Sequence, residues 1–471
     1  MRVRSFFAVG SALLASALLV AAASAGPYKV KSLKAISGPS PFAAGCPGAL
    51  SDDTNITGHE LEPAIAVNPA DRRDIIAAWK QDVGPFNGRD DLVASSLDGG
   101  KTWMRTTIPG LTVCTGGTAD TASDPWVSAG GDGTVYFAGQ AGPLSSDPPP
   151  IAVVASHSQD GGRTWPAPAT VAPGLAGNET PAVTGSPTLA GHAYLAWANF
   201  LPFDLPRTNS VEFARTTDGG ASWSPSVLID QPGPFVIDFA PRILVLPDGT
   251  LLVLFARADL EFGLGTLQSA RSLDEGRTWL PAVQVGSPQP IQTFFHPERG
   301  EYLPQSHYPS AAVAPDGTAY IAFEDNMSAS SGAVGVARSR DGGRSWSTAT
   351  LPDVSAYAFE PTIAVDKHGT VGVTWYDLRN DRPGDPALTA DVWFAHSHDR
   401  GSSWRQTHVA GPTDLRTAPL PAHNYVGEYQ GLAAVGNSFA AAFTLAAPQA
   451  EDGPTDIFFA RIGPGDEDDR R

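Results

Sequence analysis

The sequence predicts an all-β protein, specifically a β-propeller built from four-stranded blades. Two repeats and the composition point to this fold class: an eight-residue motif recurs along the chain, and pairs of apolar strands lie between its copies. The 471 residues include 49 glycines and 42 prolines, and only 17% are charged. This composition is typical of many short strands joined by tight turns. A repeat of this kind indicates stacked supersecondary units.

The eight-residue motif reads Ser/Thr-x-Asp-x-Gly-x-Ser/Thr-Trp and occurs six times, at intervals of 56 to 67 residues. Its aspartates are Asp98, Asp160, Asp218, Asp274, Asp341 and Asp399. In such a turn the Asp accepts hydrogen bonds from nearby backbone amides, and the Gly adopts a positive φ. The Trp supplies a large apolar surface between neighbouring blades. We therefore interpret these six carboxylates as structural and not catalytic.

The strand pairs predict seven blades. They begin at Pro63, Pro125, Pro181, Pro241, Pro309, Pro361 and Gln430, which makes seven pairs against six motifs. The last pair is followed by Asp456–Arg461 as a third strand, and the residues from Tyr28 to Ile36 alternate as a strand does. An N-terminal strand that completes the last blade would hide an open sheet edge. Six blades, with one strand pair belonging to another element, is the alternative.

The N-terminal residues predict an exported protein. Residues 1–25 combine Arg2 and Arg4 with an apolar run and a small-residue cleavage site, which is typical of a signal peptide. Residues 26–60 then form an N-terminal segment with the closing strand, 61–463 the propeller, and 464–471 an acidic tail. Outside the cell, the two cysteines, Cys46 and Cys114, favour one disulfide.

The formal net charge of −18 limits the partners of the protein. An acidic surface repels phosphate backbones and anionic lipids, so we expect neither a nucleic-acid partner nor membrane insertion. We expect a monomer. An anionic substrate would need a local basic pocket to overcome the field of the whole molecule.

One face of the propeller collects the starts of the inner strands and the loops between the second and third strands, around the central channel. The candidate residues at the strand starts are Glu62, Asp124, Glu179, Asp238, Tyr308, Glu360, Glu428 and Tyr429, and those in the loops are Asp82, Asp91, Arg257 and Arg379. Crowded carboxylates repel one another unless a cation or an arginine lies between them. Any single one of them is equally explained by a backbone cap or an ion pair, so the convergence itself predicts the site. We expect that no cofactor is required, although such oxygen atoms are possible ligands of a calcium ion.

The six motifs, together with Glu62–Pro69 and Tyr425–Leu432, resemble the sialidase superfamily, whose repeats are known as Asp boxes. The likeness covers nearly all of the chain after residue 25. It implies a secreted, exo-acting glycoside hydrolase that removes terminal sugars from glycans or glycoconjugates with retention. In sialidases, which have six blades, a Tyr nucleophile is activated by a Glu, an Asp is the acid/base, and three Arg side chains hold the substrate carboxylate.

The resemblance assigns roles to several residues of this chain. Tyr429 is similar to the nucleophile, with Glu428 or Glu360 as its activating partner. The loop before the first motif offers Asp82, Asp90 or Asp91 as the acid/base, and Arg242 and Arg379 are the candidates for the arginine cluster. One departure matters: the place of the family's first arginine reads Leu61-Glu62-Pro63, and Glu62 would repel a sialic acid.

Three functions therefore stay open at the level of sequence. The first is a sialidase-type glycoside hydrolase, and the second is a non-catalytic propeller that binds a glycan or a protein. The third is a hydrolase or lyase that uses a cation in the acidic channel. An arginine cluster around the tyrosine would favour the first, and a shallow site without a paired acid and base would favour the second.

Overall fold

A computed structural model describes residues 26–42, 46, 55–84, 88–143, 150–174, 177–200, 209–290, 300, 308–325, 332–354, 357–382, 384–419 and 425–465. The predicted signal peptide and most of the acidic tail lie outside these residues. The described chain folds into seven four-stranded antiparallel sheets, so the prediction of seven blades is confirmed. Among the described residues, no helix has the length and apolar character needed to cross a membrane.

The first four blades follow one another along the chain, each running from its inner strand outward. Blade 1 consists of β2 (Leu61–Val67), β3 (Ile75–Gln81), β4 (Asp90–Ser96) and β5 (Met104–Thr107). Blade 2 consists of β6 (Thr121–Ala129), β7 (Val135–Gly142), β8 (Ala152–Ser158) and β9 (Ala169–Ala172). Blade 3 consists of β10 (Gly177–Gly185), β11 (Ala193–Phe200), β12 (Asn209–Thr216) and β13 (Val227–Asp230). Blade 4 consists of β14 (Val236–Val245), β15 (Leu251–Asp259), β16 (Leu264–Ser272) and β17 (Leu280–Pro290).

The last three blades complete the ring, and two short 3₁₀ helices, Val113–Thr115 and Leu415–Thr417, follow β5 and β25. Blade 5 consists of β18 (Ser310–Val313), β19 (Ala319–Asp325), β20 (Ala333–Ser339) and β21 (Ser347–Thr350). Blade 6 consists of β22 (Phe359–Val365), β23 (Val371–Asp377), β24 (Thr389–Ser397) and β25 (Arg405–Asp414). Blade 7 consists of β26 (Gly431–Val435), β27 (Ser438–Ala446), β28 (Thr455–Pro464) and the N-terminal strand β1 (Tyr28–Ala35).

Blade 7 is closed by the N-terminal strand, as predicted. β1 pairs antiparallel with β28, from Tyr28 opposite Pro464 to Ala35 opposite Phe458. The ring of Tyr28 also stacks on His396 of blade 6, with 4.1 Å between the ring centroids. The predicted disulfide is present: Cys46 and Cys114 are bonded, with their Cα atoms 5.0 Å apart. The N-terminal segment is thus attached at two places: by strand pairing to blade 7, and by the disulfide to the loop after blade 1.

The eight-residue motif forms the turn between the third and fourth strands of blades 1 to 6. In every copy the Asp accepts a bond from the main-chain N–H four residues later, at 2.8–3.0 Å, and another from the Ser or Thr hydroxyl two residues before. The tryptophans pack across blades, for example Trp103 against Phe459 of blade 7 and Trp279 against Phe213 of blade 3. These carboxylates are fully used in shaping their turns.

A repeated irregularity in the inner strands prepares the site. In blades 1, 2, 3, 4 and 6 the residue before the strand's proline has a positive φ, between 49° and 58°, and the pairing register shifts there. The five residues are Glu62, Asp124, Thr180, Ala240 and Glu360. Such a conformation costs about 1–3 kcal/mol for a non-glycine residue, and strain of this kind is concentrated at functional sites.

Candidate active site

Carboxyl groups from five blades are gathered at the channel mouth. Glu62 and Asp124 come from the bulges of blades 1 and 2, and Glu360 comes from that of blade 6. Glu428 lies just before β26 of blade 7. Besides burial, repulsion from Asp124 raises the pKa of Glu62, repulsion from Glu62 and Asp124 raises that of Glu428, and repulsion from Glu62 and Glu428 raises that of Glu360, so the four side chains share one environment. Glu179 of blade 3 belongs to the same group. The predicted convergence is therefore present for these five residues.

Lys80, at the end of β3, occupies the place where a cation was expected. Its Nζ lies 2.8 Å from Glu62 and 3.6 Å from Asp124, and the lysine side chain is 8% exposed. Burial tends to lower its pKa, but Glu62 and Asp124 more than offset this effect and hold the pKa above its usual value. Lys80 therefore stays charged and neutralises part of the acidic ring.

Two tyrosine–glutamate pairs form the partly exposed rim of the channel mouth. The Tyr425 hydroxyl donates a hydrogen bond to Glu62 Oε1 at 2.9 Å. Tyr308 is hydrogen-bonded to Glu428. Tyr308, Tyr425, Glu428 and Glu179 are partly exposed, whereas Glu62 and Asp124 are buried beneath them. The rim can thus meet a ligand while its ionic partners stay shielded from water.

The carboxyl groups of the rim hold their protons to unusually high pH. Burial is the largest cause, followed by repulsion from Asp124, and together they raise the pKa of Glu179 to about 8. Burial and repulsion from Glu62 and Asp124 raise the pKa of Glu428 to about 7. Burial also raises the pKa of Glu62, against the opposing effect of Lys80. A protonated carboxyl group near neutral pH is what a general acid requires.

Two acids at the mouth, one of them already described, are buried with no hydrogen-bond partner for either carboxyl oxygen among the described residues. They are Asp91, on β4, and Glu360. Burial raises the pKa of both well above the usual value, with repulsion from Asp90 adding to it for Asp91 and from Glu324 for Glu360. Both carboxyl groups therefore bind a proton more readily than they would in water, and a protonated carboxyl group donates as well as accepts hydrogen bonds. Asp91 retains its candidacy for acid/base chemistry, although it lies below the rim.

Tyr429, which the sequence suggested as the nucleophile, has a different partner. Its hydroxyl donates to the main-chain carbonyl of Pro125 at 3.0 Å, and its ring contacts Trp126. Glu428 is instead hydrogen-bonded to Tyr308, and neither carboxyl oxygen of Glu360 has a hydrogen-bond partner among the described residues. All three side chains line one small cavity, so the activation of Tyr429 by either acid stays a prediction. The tyrosines that are hydrogen-bonded to acids at the mouth are Tyr425, with Glu62, and Tyr308, with Glu428.

Arg242 lies inside the channel beside Tyr429. Its guanidinium carbon is 4.1 Å from the centre of the Trp126 ring and 5.7 Å from that of Tyr429, and Nη1 donates to the carbonyl of Pro241. Burial lowers its pKa to about 10, so it remains a cation. A small cavity of about 10 Å³ joins Arg242 to Tyr308, Glu360 and Glu428. This cavity by itself is too small to hold a sugar ring.

Four predicted site residues have interaction partners outside the acidic group at the channel mouth. Asp82 accepts bonds from the Ser40 hydroxyl and the Gly58 amide, which anchors the N-terminal segment. Arg257 forms a two-point ion pair with Asp238, at 2.6 and 2.7 Å. Arg379 is paired with Asp377 and lies over the ring of Trp393. The expectation that Arg379 and Arg242 form an arginine cluster is therefore wrong, because their partners hold them in different parts of the ring.

Metal ligation is not evident in the described part of the chain. No group of three or more His, Cys, Asp or Glu side chains there is arranged to hold an ion. The carboxylates of the mouth are spaced by Lys80 and by tyrosine hydroxyls instead. Calcium binding stays a prediction from the sequence.

The fold and the site together define a seven-bladed propeller with an acidic channel mouth. No protein-family model matches the chain. It is 28% identical over 249 residues to a sialidase of Micromonospora viridifaciens, which covers 49% of this chain and 33% of that protein. The chain thus spans about a third of the length of this curated relative. The chain is similar to sialidases, and the fold is a sialidase-like β-propeller.

Solved structures with a similar fold have lower sequence identity to this chain. A Dyadobacter fermentans protein of unknown function shares 12% identity at a TM-score of 0.49, covering 93% of this chain and 100% of its own. NanB sialidase of Streptococcus pneumoniae shares 11% identity at a TM-score of 0.47, covering 93% of this chain and 94% of its own. An α-L-arabinanase of Penicillium chrysogenum, complexed with arabinobiose, shares 15% identity at a TM-score of 0.46, covering 71% of this chain and 92% of its own. At this distance no activity transfers to this chain.

Proposed function

We propose that this protein is a glycoside hydrolase whose reaction takes place at the channel mouth. The observation that carries the proposal is the hydrogen bond between Tyr425 and Glu62 beside Glu428, a partly exposed carboxyl group with a pKa of about 7. Glycoside hydrolysis by retention needs a nucleophile on one side of the scissile bond and a protonated acid on the other. The rim supplies both kinds of group.

The roles follow from the environment of each residue. Tyr425 attacks the anomeric carbon, and its proton passes to Glu62. Burial first, and then repulsion from Glu428 and Glu62, raises the pKa of Tyr425, so the hydroxyl reacts only as Glu62 accepts its proton. Burial makes Glu62 a stronger base, while Lys80 keeps it in place.

Glu428 completes the proposed reaction. It donates a proton to the departing glycosidic oxygen in the first step, and as a carboxylate it then takes a proton from the attacking water in the second. As the glycosyl–Tyr425 bond breaks, Glu62 returns its proton to the Tyr425 oxygen, which restores the starting state of the enzyme. The hydrogen bond to Tyr308 orients the Glu428 carboxyl group. Glu179, with a pKa of about 8, is the neighbouring group that can replace it as the acid.

The more specific proposal is exo-α-sialidase activity, and the match to a sialidase supports it. The acidic mouth opposes it, because Lys80 is already paired with Glu62 and Arg242 lies beneath aromatic rings. A substrate carboxylate is accepted only while Glu179 and Glu428 are protonated. We therefore propose a terminal neutral sugar as the preferred substrate, with sialosides cleaved below about pH 7, where the cited pKa values place the protons.

The test is hydrolysis of a panel of 4-methylumbelliferyl glycosides, including an α-sialoside and neutral α- and β-glycosides, by the mature protein. Tyr425→Phe and Glu62→Gln are expected to lower kcat by about 10²–10⁴-fold on the substrate that is cleaved. Tyr429→Phe is the matched control, since it removes only a bond to a main-chain carbonyl. An outcome in which Tyr429→Phe is inactive and Tyr425→Phe is active would return the nucleophile to Tyr429.

Two further properties belong to the proposal. The protein acts outside the cell on glycans, which export of the mature chain into the medium of an expressing host would support. Calcium is tested by repeating the assay after EDTA treatment; a loss of activity that calcium restores would favour the cation-dependent hydrolase. No turnover on any glycoside, with binding on a glycan array, would replace the hydrolase with a non-catalytic binding propeller.

A further inference from the structure

We propose that the cleft between blades 4 and 5 is a second binding site, which takes the apolar aglycone of the glycoside held at the mouth. The cleft is a cavity of about 520 Å³, within the range of small-molecule sites. Its walls include the apolar side chains of Phe239, Leu260, Leu267, Val285 and Phe323. Such a lining favours an apolar occupant because binding removes apolar surface from water on both sides.

Two charged side chains at the edge of this cleft, Arg257 and Asp325, already have partners within the protein. Arg257 is held by Asp238 and Asp230. Asp325 accepts from the Thr350 hydroxyl at 2.6 Å and from Gln289 Nε2 at 3.3 Å. An apolar ligand leaves these bonds intact, and the charged groups need no ligand to satisfy them.

An exposed apolar lip marks the opening of the cleft. Phe235, Leu260, Phe262 and Leu264 are 43%, 43%, 70% and 36% exposed, and all four belong to the same end of blade 4. A main-chain hydrogen bond of 2.8 Å from Leu260 to Phe235 joins the two segments that carry them. Single exposed apolar residues are normal on a protein surface, but a contiguous group beside a cavity is typical of a binding site.

The cleft is adjacent to the rim of the channel. Phe239, in its wall, contacts the ring of Tyr308, with 6.0 Å between centroids. Glu324, also in its wall, accepts a hydrogen bond of 3.0 Å from the main-chain amide of Glu360. A ligand whose sugar sits over the rim can therefore place its aglycone in the cleft. This inference rests on the proposed function and narrows its substrate class to glycosides with a sizeable apolar aglycone.

The test uses N-phenyl-1-naphthylamine, a neutral apolar probe that fluoresces when it leaves water, with the full mature chain. Ala349 lines the cleft from the exposed outer strand β21, so Ala349→Trp fills the cleft without disturbing the core. Thr106→Trp is the matched control, because Thr106 opposes Val93 in blade 1 as Ala349 opposes Val336 in blade 5.

We expect one saturable site for the probe in the wild type, at least tenfold weaker binding in Ala349→Trp, and unchanged binding in Thr106→Trp. Octyl β-glucoside below its micelle concentration should displace the probe, and methyl β-glucoside should not. Absence of a saturable site, full binding by Ala349→Trp, or equal displacement by the two glucosides would overturn the proposal. The measurement needs no turnover, so failure of the glycosidase assays alone would count only against the proposed function.

Discussion

At the scale of single residues, the channel mouth shows how burial and neighbouring charge divide similar groups into different roles. Glu62 has Lys80 and Tyr425 as partners, whereas Glu428 has a tyrosine and faces other acids. The first is prepared to accept a proton and the second to give one. Their residue types were predictable from the sequence, but some of their partners are distant along the chain, as with Glu62 and Tyr425, which are 363 residues apart.

The pH dependence of activity belongs to this scale. If Glu428 is the acid, kcat falls about tenfold per pH unit above pH 7, because the proton that it donates is lost through its pKa of about 7. Glu428→Gln should remove this alkaline decline and lower kcat most for substrates with poor leaving groups. The measurement is a kcat–pH profile with 4-methylumbelliferyl and alkyl glycosides.

Glu179→Gln is the matched variant, since Glu179 lies in the same acidic group with a pKa of about 8. It is expected to keep the decline above pH 7. If Glu179→Gln removes the decline and Glu428→Gln keeps it, Glu179 is the acid.

At the scale of elements, the turn motif and the bulged inner strand have opposite functions. The motif is rigid because its Asp accepts several local bonds, as with Asp160, which binds the amides of Arg163 and Thr164 and the Thr164 hydroxyl. These local bonds are encoded within eight residues, so the sequence predicts them well. The bulge before each proline was not predicted. A residue before proline normally adopts extended φ/ψ values, so the positive φ at these five positions is not what the local sequence favours.

A substitution in the motif should therefore affect stability and not catalysis. We expect Asp160→Ala to lower the free energy of unfolding by about 1–3 kcal/mol, since it leaves the turn's amides without their acceptor. Burial opposes the hydrogen bonds of the Thr164 side chain and main chain, but the bonds prevail and lower the pKa of Asp160 to about 2. The stabilisation is thus present above pH 4 and is lost as the pH falls towards 2.

Urea unfolding at pH 7 and pH 3 measures this effect, and kcat at pH 7 should not change. Gln159→Ala, at the exposed neighbouring position of the same turn, is the control and should be nearly neutral. A loss of activity in Asp160→Ala without a loss of stability would contradict the structural role.

At the scale of the whole molecule, the ring is held closed by the N-terminal segment. β1 supplies the outer strand of blade 7, and Cys46–Cys114 ties the segment to the loop after blade 1. A ring whose first and last segments share a sheet cannot open at its seam without losing those pairings. Closure also fixes the distance between blades 1 and 7, which carry Glu62 and Tyr425.

Loss of the disulfide should weaken the closure but preserve the fold. Cys46 and Cys114 are 68 residues apart, and the chain-entropy relation gives about 4 kcal/mol for a loop of that length. We expect the variant with both Cys46→Ser and Cys114→Ser to unfold at lower denaturant concentration, with an unchanged far-ultraviolet circular dichroism spectrum. Reductant should shift the wild type to the same midpoint and leave the double variant unaffected; equal midpoints without reductant would contradict this prediction.

The sequence by itself determined the propeller, the seven blades, the closing strand and the disulfide, because these depend on a local repeat, strand periodicity and a count of two cysteines. It also named most of the acids at the mouth, since each begins an inner strand. Only the tertiary structure decided that Lys80 lies between Glu62 and Asp124, that Tyr425 and not Tyr429 is hydrogen-bonded to an acid, and that Arg257 and Arg379 are held by other carboxylates. The reason is physical: a side chain's partner and protonation depend on distances across blades that are far apart in sequence, and no local pattern encodes those distances.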